Sequence, residues 1–147
     1  MVSRLNIKYN QESVSYNELL TIDKTAKEPK ISFNFDPKQK YTIIMVDPDA
    51  PSPTRPINKY WLHWLRVNTT DGIVPYAGPN PPLDENGKLA PHRYYIRIYQ
   101  QNMSLEPTIL KNTYKGGGKF DLDGFVAKYQ LTLIAETQFK VAYSKKN

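Results

Sequence analysis

Apolar side chains recur at every second position in three stretches of this chain, the spacing of half-buried strands rather than helices. In residues 41–47 the odd positions Tyr41, Ile43, Met45 and Asp47 fall on one face. In 61–67 the same spacing groups Trp61, His63, Leu65 and Val67. In 92–98 it groups His92, Tyr94, Ile96 and Ile98, and turns Arg93 and Arg97 the other way. Strands are expected at 5–9, 30–35, 40–47, 60–67, 92–100 and 130–137, with a further short one at 140–143. One helix is expected at 122–129, where Phe125, Val126 and Tyr129 form an apolar stripe and Asp121 or Asp123 can cap the first turn. Short strands bounded by turns, with a single late helix, predict a mainly β sandwich. Residues 68–91, which include Gly72, Pro75, Gly78, Pro79, Pro81, Pro82 and Gly87, read as one long ordered connection.

Each strand places a polar residue at one end of its otherwise apolar face. Asp47 lies at a C-terminal end, His63 and His92 near N-terminal ends. If both histidine-bearing strands run antiparallel to residues 41–47, these three groups meet at one rim of the sheet. The chain after Val46 reads Asp47-Pro48-Asp49-Ala50-Pro51. Each proline fixes its own φ and pushes the preceding residue toward extended geometry, so the two carboxylates sit in a stiff loop. A stiff acidic loop at a strand end suits a binding site whose side chains must stay aimed without a ligand.

Composition narrows the classes. At 147 residues the chain is expected to form one domain, 1–147. Cysteine is absent, which excludes disulfides, thiolate nucleophiles and cysteine-bound zinc. Residues 1–7 have no apolar signal core, so a cytoplasmic location is expected, and the Asn68-Thr69-Thr70 and Asn102-Met103-Ser104 sequons read as chance. The formal net charge of +6 favours anionic partners, including phosphate ligands and acidic membrane surfaces. The basic residues are scattered rather than striped, so no dedicated nucleic-acid binding is expected.

Two histidines beside Asp47 and Asp49 could donate to phosphate-like oxygens, while the carboxylates orient the imidazoles or accept from an ammonium group. A small zwitterion carrying phosphate and amine would match both halves. The same residues also form a two-histidine, one-carboxylate set that a metal could use, although their spacing is nonlocal. Ser52 and Ser104 are candidate nucleophiles, but neither lies in a nucleophile elbow. Gly116-Gly117-Gly118-Lys119 lacks the spacing of a phosphate loop and reads as a flexible turn. Pro53-Thr54-Arg55-Pro56 fits PxxP, a cheap match in a chain with 12 prolines.

Three motifs in order, Asp47-Pro48-Asp49-Ala50-Pro51, Trp61-Leu62-His63-Trp64 and Pro91-His92-Arg93-Tyr94, resemble the phosphatidylethanolamine-binding protein family, which includes the Raf kinase inhibitor proteins and plant flowering-time regulators. Lys119-Phe120 leading to Lys128-Tyr129-Gln130-Leu131 is similar to the family's late helix and strand. The resemblance runs from about residue 31 to 137, and residues 47–65 are especially similar to the plant branch. It implies a β-sandwich-like fold with an anion pocket at one rim, walled by Asp47, Pro51, Trp61, His63, Pro82, His92 and Tyr94, with Tyr76-Ala77-Gly78 as the loop wall. It also implies a cis Ala50–Pro51 bond.

This chain departs from the pattern at Ala90 and at Gly78-Pro79-Asn80, where the family commonly has glycines. Lys145-Lys146-Asn147 reads as a solvated tail, so the C-terminal helix of the animal members has no expected counterpart and the pocket is expected to be shallow and open. The resulting expectation is a non-enzymatic protein without a cofactor or metal. It would bind a phosphate or phosphorylethanolamine-type ligand or a phospholipid headgroup and regulate a protein partner such as a kinase. The alternative is a protein-interaction module that inhibits a kinase or protease, with an incidental pocket.

Overall fold

The computed structural model describes residues 1–145, so Lys146 and Asn147 of the expected tail lie outside the described residues. In chain order the elements are β1 (Ser3–Arg4), β2 (Asn6–Tyr9), β3 (Glu12–Ser13), β4 (Leu19–Leu20), β5 (Lys30–Ser32), β6 (Lys40–Asp47), β7 (Trp61–Val67), β8 (Asp71–Val74), β9 (His92–Gln101), α1 (Pro107–Thr113), α2 (Leu122–Lys128) and β10 (Thr132–Val141). Among the described residues the large sheet has seven strands, in the order β1-β10-β9-β6-β7-β8 with β4 also paired to β10. A three-stranded sheet, β3-β2-β5, covers part of one face. The fold is mainly β, as the alternation predicts.

β6 sits between β9 and β7, and from Tyr41 onward every residue in it is buried. Its run Ile43-Ile44-Met45-Val46 is apolar on both sides because both faces of the sheet are covered. One face carries Ile43, Met45, Tyr94, Ile96, Ile98 and Phe139 against Leu5, Ile7 and Tyr9 of the first segment. The other carries Ile44, Val46, Leu62, Leu65 and Val67 against Leu110, Leu122 and Phe125 of the helices. Each fully buried aliphatic side chain here contributes roughly 1.5–3 kcal/mol.

The face assignment holds for β6 and β9 and fails in β7. Met45 pairs with Trp64 and Val46 with Leu62, so His63 is an extra residue in β7, a β-bulge. The bulge shifts the phase of alternation. Leu65 and Val67 join the helix-side core with Leu62, while Trp64 joins the opposite core.

Four other expectations need correction. Residues 68–91 are not one irregular connection, because β8 folds back on β7 through a tight turn. Asn68 and Thr69 take φ of 51° and 67° in the turn between the paired Val67 and Asp71. The strand expected at 30–35 ends at Ser32. The two expected final strands are one, Thr132–Val141, with a bulge between Leu133 and Ala135. A second helix, α1, precedes the expected one. It starts with Pro107, whose missing N–H is harmless in a first turn, and buries Leu110.

The expected late helix is present as Leu122–Lys128, and Asp121 rather than Asp123 caps it by accepting from the Gly124 N–H at 3.0 Å. The glycine run before it is not a free turn. Leu62 and Gly117 exchange backbone hydrogen bonds of 2.8 and 3.2 Å.

Candidate functional site

Both β7 and β9 run antiparallel to β6, and that topology brings Asp47, His63 and His92 to one rim. Asp47 pairs directly with Trp61 at the start of β7. The Ala50–Pro51 peptide that follows is cis.

His92 is 1% exposed, and its Nδ1 lies 2.7 Å from Asp47 Oδ2. An ionised carboxylate can only accept, so Nδ1 carries the proton and Nε2 is left with the lone pair when the ring is neutral. Nε2 is buried and has no protein partner among the described residues. His63 is held in the same way. Its Nδ1 donates to Ala77 O at 2.7 Å, while the Ala77 N–H donates back to His63 O at 2.9 Å. Burial pushes the His63 pKa below 6.5, against the opposing pull of the Ala77 carbonyl and Asp47. Tyr94 lies edge-on to His63 with ring centroids 5.3 Å apart, and stacks beside His92 at 6.4 Å. Burial, reinforced by Asp47 and Asp49, pushes the Tyr94 hydroxyl pKa up, so it stays a neutral donor.

A cavity of about 430 Å³ opens at this rim. It is lined by all eight residues singled out from the sequence: Asp47, Pro51, Trp61, His63, Gly78, Pro82, His92 and Tyr94. Ala50, Ala77, Asn80 and Pro81 complete it. Trp61 stands at the mouth, 39% exposed. Asn80 and Pro81 were not read as wall residues, although Asn80 was visible as a departure from the family pattern.

Two residues do other work than expected. Asp49 does not face the histidines. Its carboxylate takes the Arg93 backbone N–H at 2.7 Å and the guanidinium at 3.0 and 2.9 Å, which staples the acidic loop to the strand that carries His92. Tyr76 is not a wall residue. Its hydroxyl donates to Thr25 O at 2.6 Å and lies 2.7 Å from the Tyr9 hydroxyl. Gly78 does line the cavity, but its lack of a side chain has a separate cause: a Cβ there would lie 2.8 Å from Thr25 O.

Neither candidate nucleophile lines the cavity where the two histidines sit. Ser52 is buried and donates to Glu85 Oε2 at 2.6 Å, and Thr54 donates to Glu85 Oε1 at 2.5 Å. These two bonds hold the Glu85 pKa down to about 2 and clasp the loop before His92 to the loop after Asp47. Sequence reading missed Glu85, because a lone exposed glutamate carries no local pattern. Among the described residues no group of three or more His, Cys, Asp or Glu side chains could hold a metal ion. No helix among them is long and apolar enough to cross a membrane.

The family model of the phosphatidylethanolamine-binding proteins matches residues 4–71. A phosphatidylethanolamine-binding protein homolog from Acanthamoeba polyphaga mimivirus is 33% identical over 144 residues, which cover 95% of this chain and 98% of the viral one. A Drosophila melanogaster relative, provisionally named an odorant-binding protein, is 33% identical over 138 residues, 86% of this chain; the match spans 64% of the fly protein's length. Among solved structures, a carboxypeptidase Y inhibitor complexed with its cognate proteinase shares the fold with a TM-score of 0.76 at 18% identity, covering 95% of this chain and 83% of the inhibitor.

Proposed function

This chain belongs to the phosphatidylethanolamine-binding protein family, and from that premise we propose that its rim cavity binds phosphate-bearing small molecules or phospholipid headgroups without turning them over. One observation carries the reading. Nε2 of His92, a residue of the cavity wall, is buried and has no protein partner among the described residues, and buried polar atoms without partners are rare. Protonated, it becomes a charge-assisted donor available to an anion in the cavity that His92 lines. His63 offers a second Nε2, because its Nδ1 is committed to Ala77 O. Asp47 fixes the His92 ring through Nδ1.

The test is a titration with inorganic phosphate and with phosphorylethanolamine, followed by the fluorescence of Trp61 at the cavity mouth. Loss of one charge-assisted hydrogen bond in His63→Ala or His92→Ala should weaken binding by about 1.5–3 kcal/mol. Unchanged affinity in a folded double variant removes the site. Inhibition of a proteinase is the second reading. It draws on the role of the carboxypeptidase Y inhibitor, whose likeness at 18% identity carries the fold alone. Inhibition of a proteinase panel that survives loss of both histidines would favour it.

A further inference from the structure

Cations that lie scattered along the sequence are gathered by the large sheet. On one face the helices cover β6, β7, β8 and the Tyr99 end of β9. Further along β9, and on β10, β1 and β4, that face is left bare except where Tyr95 fringes the core. Tyr94, Ile96 and Phe139 point into the opposite core, so alternation turns their neighbours outward. The register sets these in two rows. Arg93 pairs with Lys140, which pairs with Leu19. Arg97 pairs with Glu136, which pairs with Arg4. Between the rows Tyr95 pairs with Gln138. From strand and residue spacing, the four cations fall within a patch roughly 10 by 13 Å.

Cations and rings alternate across this patch. Arg97 lies 4.9 Å and Arg93 5.7 Å from the centre of the Tyr95 ring, and Arg4 lies 4.0 Å from that of Tyr16. Arg97 is paired to Glu136 at 3.0 Å, and Arg93 to the buried Asp49 at 2.9 Å. Arg4 and Lys140 have no ion-pair partner among the described residues. The patch is separate from the rim cavity, because His92 and Tyr94, which line the cavity, alternate with Arg93 and Tyr95 and lie on the other face of β9.

We infer that this bare sheet face binds single-stranded nucleic acid, about two or three nucleotides at a time. A strand of unpaired nucleotides uses both halves of the pattern: its phosphates meet the cations, and its bases stack on rings and guanidinium planes. An acidic protein would use the cations and leave the rings without a role. A duplex keeps its bases stacked on one another and offers the patch its phosphates alone.

Fluorescence anisotropy of the full chain with labelled oligouridylate and oligothymidylate tests this at low salt. Both should bind more tightly than a duplex of equal length and than polyglutamate of equal charge. The logarithm of affinity should fall with the logarithm of salt concentration, with a slope of about −1.4 to −2.8 for two to four phosphate contacts. Reversing both unpaired cations, in the double variant Arg4→Glu, Lys140→Glu, should weaken binding at least tenfold. Tyr95→Leu should weaken it at least threefold with the salt slope unchanged, because a stacking ring carries no charge. Glu136→Gln removes the exposed carboxylate of the patch and should strengthen binding at least threefold, a gain that misfolding cannot imitate. Oligonucleotide binding should also survive loss of both histidines of the rim cavity. Absence of binding overturns the inference, as does affinity that neither the charge reversal nor Glu136→Gln moves. Equal binding of polyglutamate overturns it in favour of an acidic protein partner. Loss of binding with the two histidines overturns it by placing the oligonucleotide phosphate in the rim cavity.

Discussion

Asp47 and His92 lie on neighbouring strands with carboxylate and imidazole 2.7 Å apart and side chains 4% and 1% exposed. The pair therefore does structural work before any ligand arrives. Removing the carboxylate strands the ring with two unpartnered nitrogens in a buried wall. Asp47→Ala should cost about 1–3 kcal/mol of stability, the penalty for an orphaned buried polar group. Asp47→Asn keeps an acceptor and should lose less. Urea denaturation of the two variants checks the order; equal stability of Asp47→Ala and the parent would mean that the pair contributes nothing to the fold.

Acid should act on the free protein and on the complex in opposite directions. Burial holds the His63 pKa below its ordinary 6.5. Above that value both folded and unfolded chains are neutral at this residue and no stability is lost. As pH falls below 6.5 the unfolded chain takes up the proton first, so stability drops until the folded pKa is passed. The groups facing the ring are Ala77 O, Asp47, His92 and Tyr94; of these the Ala77 carbonyl and then Asp47 oppose the effect, and His92 reinforces it. A bound anion favours the charged ring, so affinity should rise over the same interval. Urea denaturation across this pH range, with and without ethyl sulfate, reads both trends. His63→Asn should flatten the first and weaken the second; affinity that increases with pH would contradict the donor role.

Much of this rim was legible because strand alternation and topology are separable. Alternation put Asp47 and His92 on the faces they occupy, and an antiparallel neighbour on each side of β6 was enough to bring the ends together. His63 reached the cavity by another route. Its position looked right from alternation, but a bulge there re-phases β7, and nothing local in Trp61-Leu62-His63-Trp64 marks an inserted residue. The β7–β8 hairpin was hidden for a related reason. Its turn uses Asn68-Thr69 at positive φ instead of a glycine, so the usual signal was absent. Asp49 was expected beside the histidines and Glu85 was not singled out, because their partners lie 44 and 31–33 residues away in sequence. Long-range hydrogen bonds decide which carboxylates are free, and no periodicity encodes them.

Gly78 offers a test of packing as distinct from recognition. A methyl group there would sit 2.8 Å from the Thr25 carbonyl and 3.1 Å from Ala26 Cα, both backbone atoms. Thr25 is fully buried, and its carbonyl also accepts the Tyr76 hydroxyl, so it cannot give way freely. Gly78→Ala should destabilise by about 1–3 kcal/mol, the usual range for overpacking. Trp61→Ala, at a 39% exposed position, should change stability much less. Thermal and urea denaturation of both variants would check this. A neutral Gly78→Ala would mean that the segment carrying Thr25 shifts without cost.

The Glu85 clasp should govern how firmly the loop before His92 is held. Its carboxylate accepts from Ser52 and Thr54, and those bonds lower its pKa from 4.5 to about 2. A depressed carboxylate contributes its stabilisation above 4.5 and loses it as pH falls through about 2. Glu85→Ala removes the clasp at every pH. Backbone amides in residues 80–91 and 52–56 should then exchange hydrogen faster, with little change in β6 or β9. Exchange that is unchanged in those loops would show that the prolines alone hold them.

The cavity should take a headgroup and leave the acyl chains outside. Its volume of about 430 Å³ lies toward the lower end of small-molecule clefts, roughly 300–1,000 Å³. Behind Tyr94 the wall is closed. The Tyr94 ring stacks on Phe139 at 5.6 Å, and Tyr9 meets the same Phe139 edge-on at 5.5 Å. Both tyrosines and Phe139 are no more than 1% exposed, so no apolar tunnel continues into the sheet core. A lipid drawn out of a bilayer would leave its methylenes in water, at about 0.8 kcal/mol for each one not buried again. The protein should therefore not carry intact phosphatidylethanolamine between vesicles. Soluble long-chain and short-chain forms should bind with similar affinity, set by the phosphate. A vesicle transfer assay, together with calorimetry on short-chain and long-chain phosphatidylethanolamine below their aggregation limits, decides the matter. Stoichiometric transfer of whole lipid, or far tighter binding of the longer chain, would require an acyl cavity that opens by moving Tyr94 or Phe139.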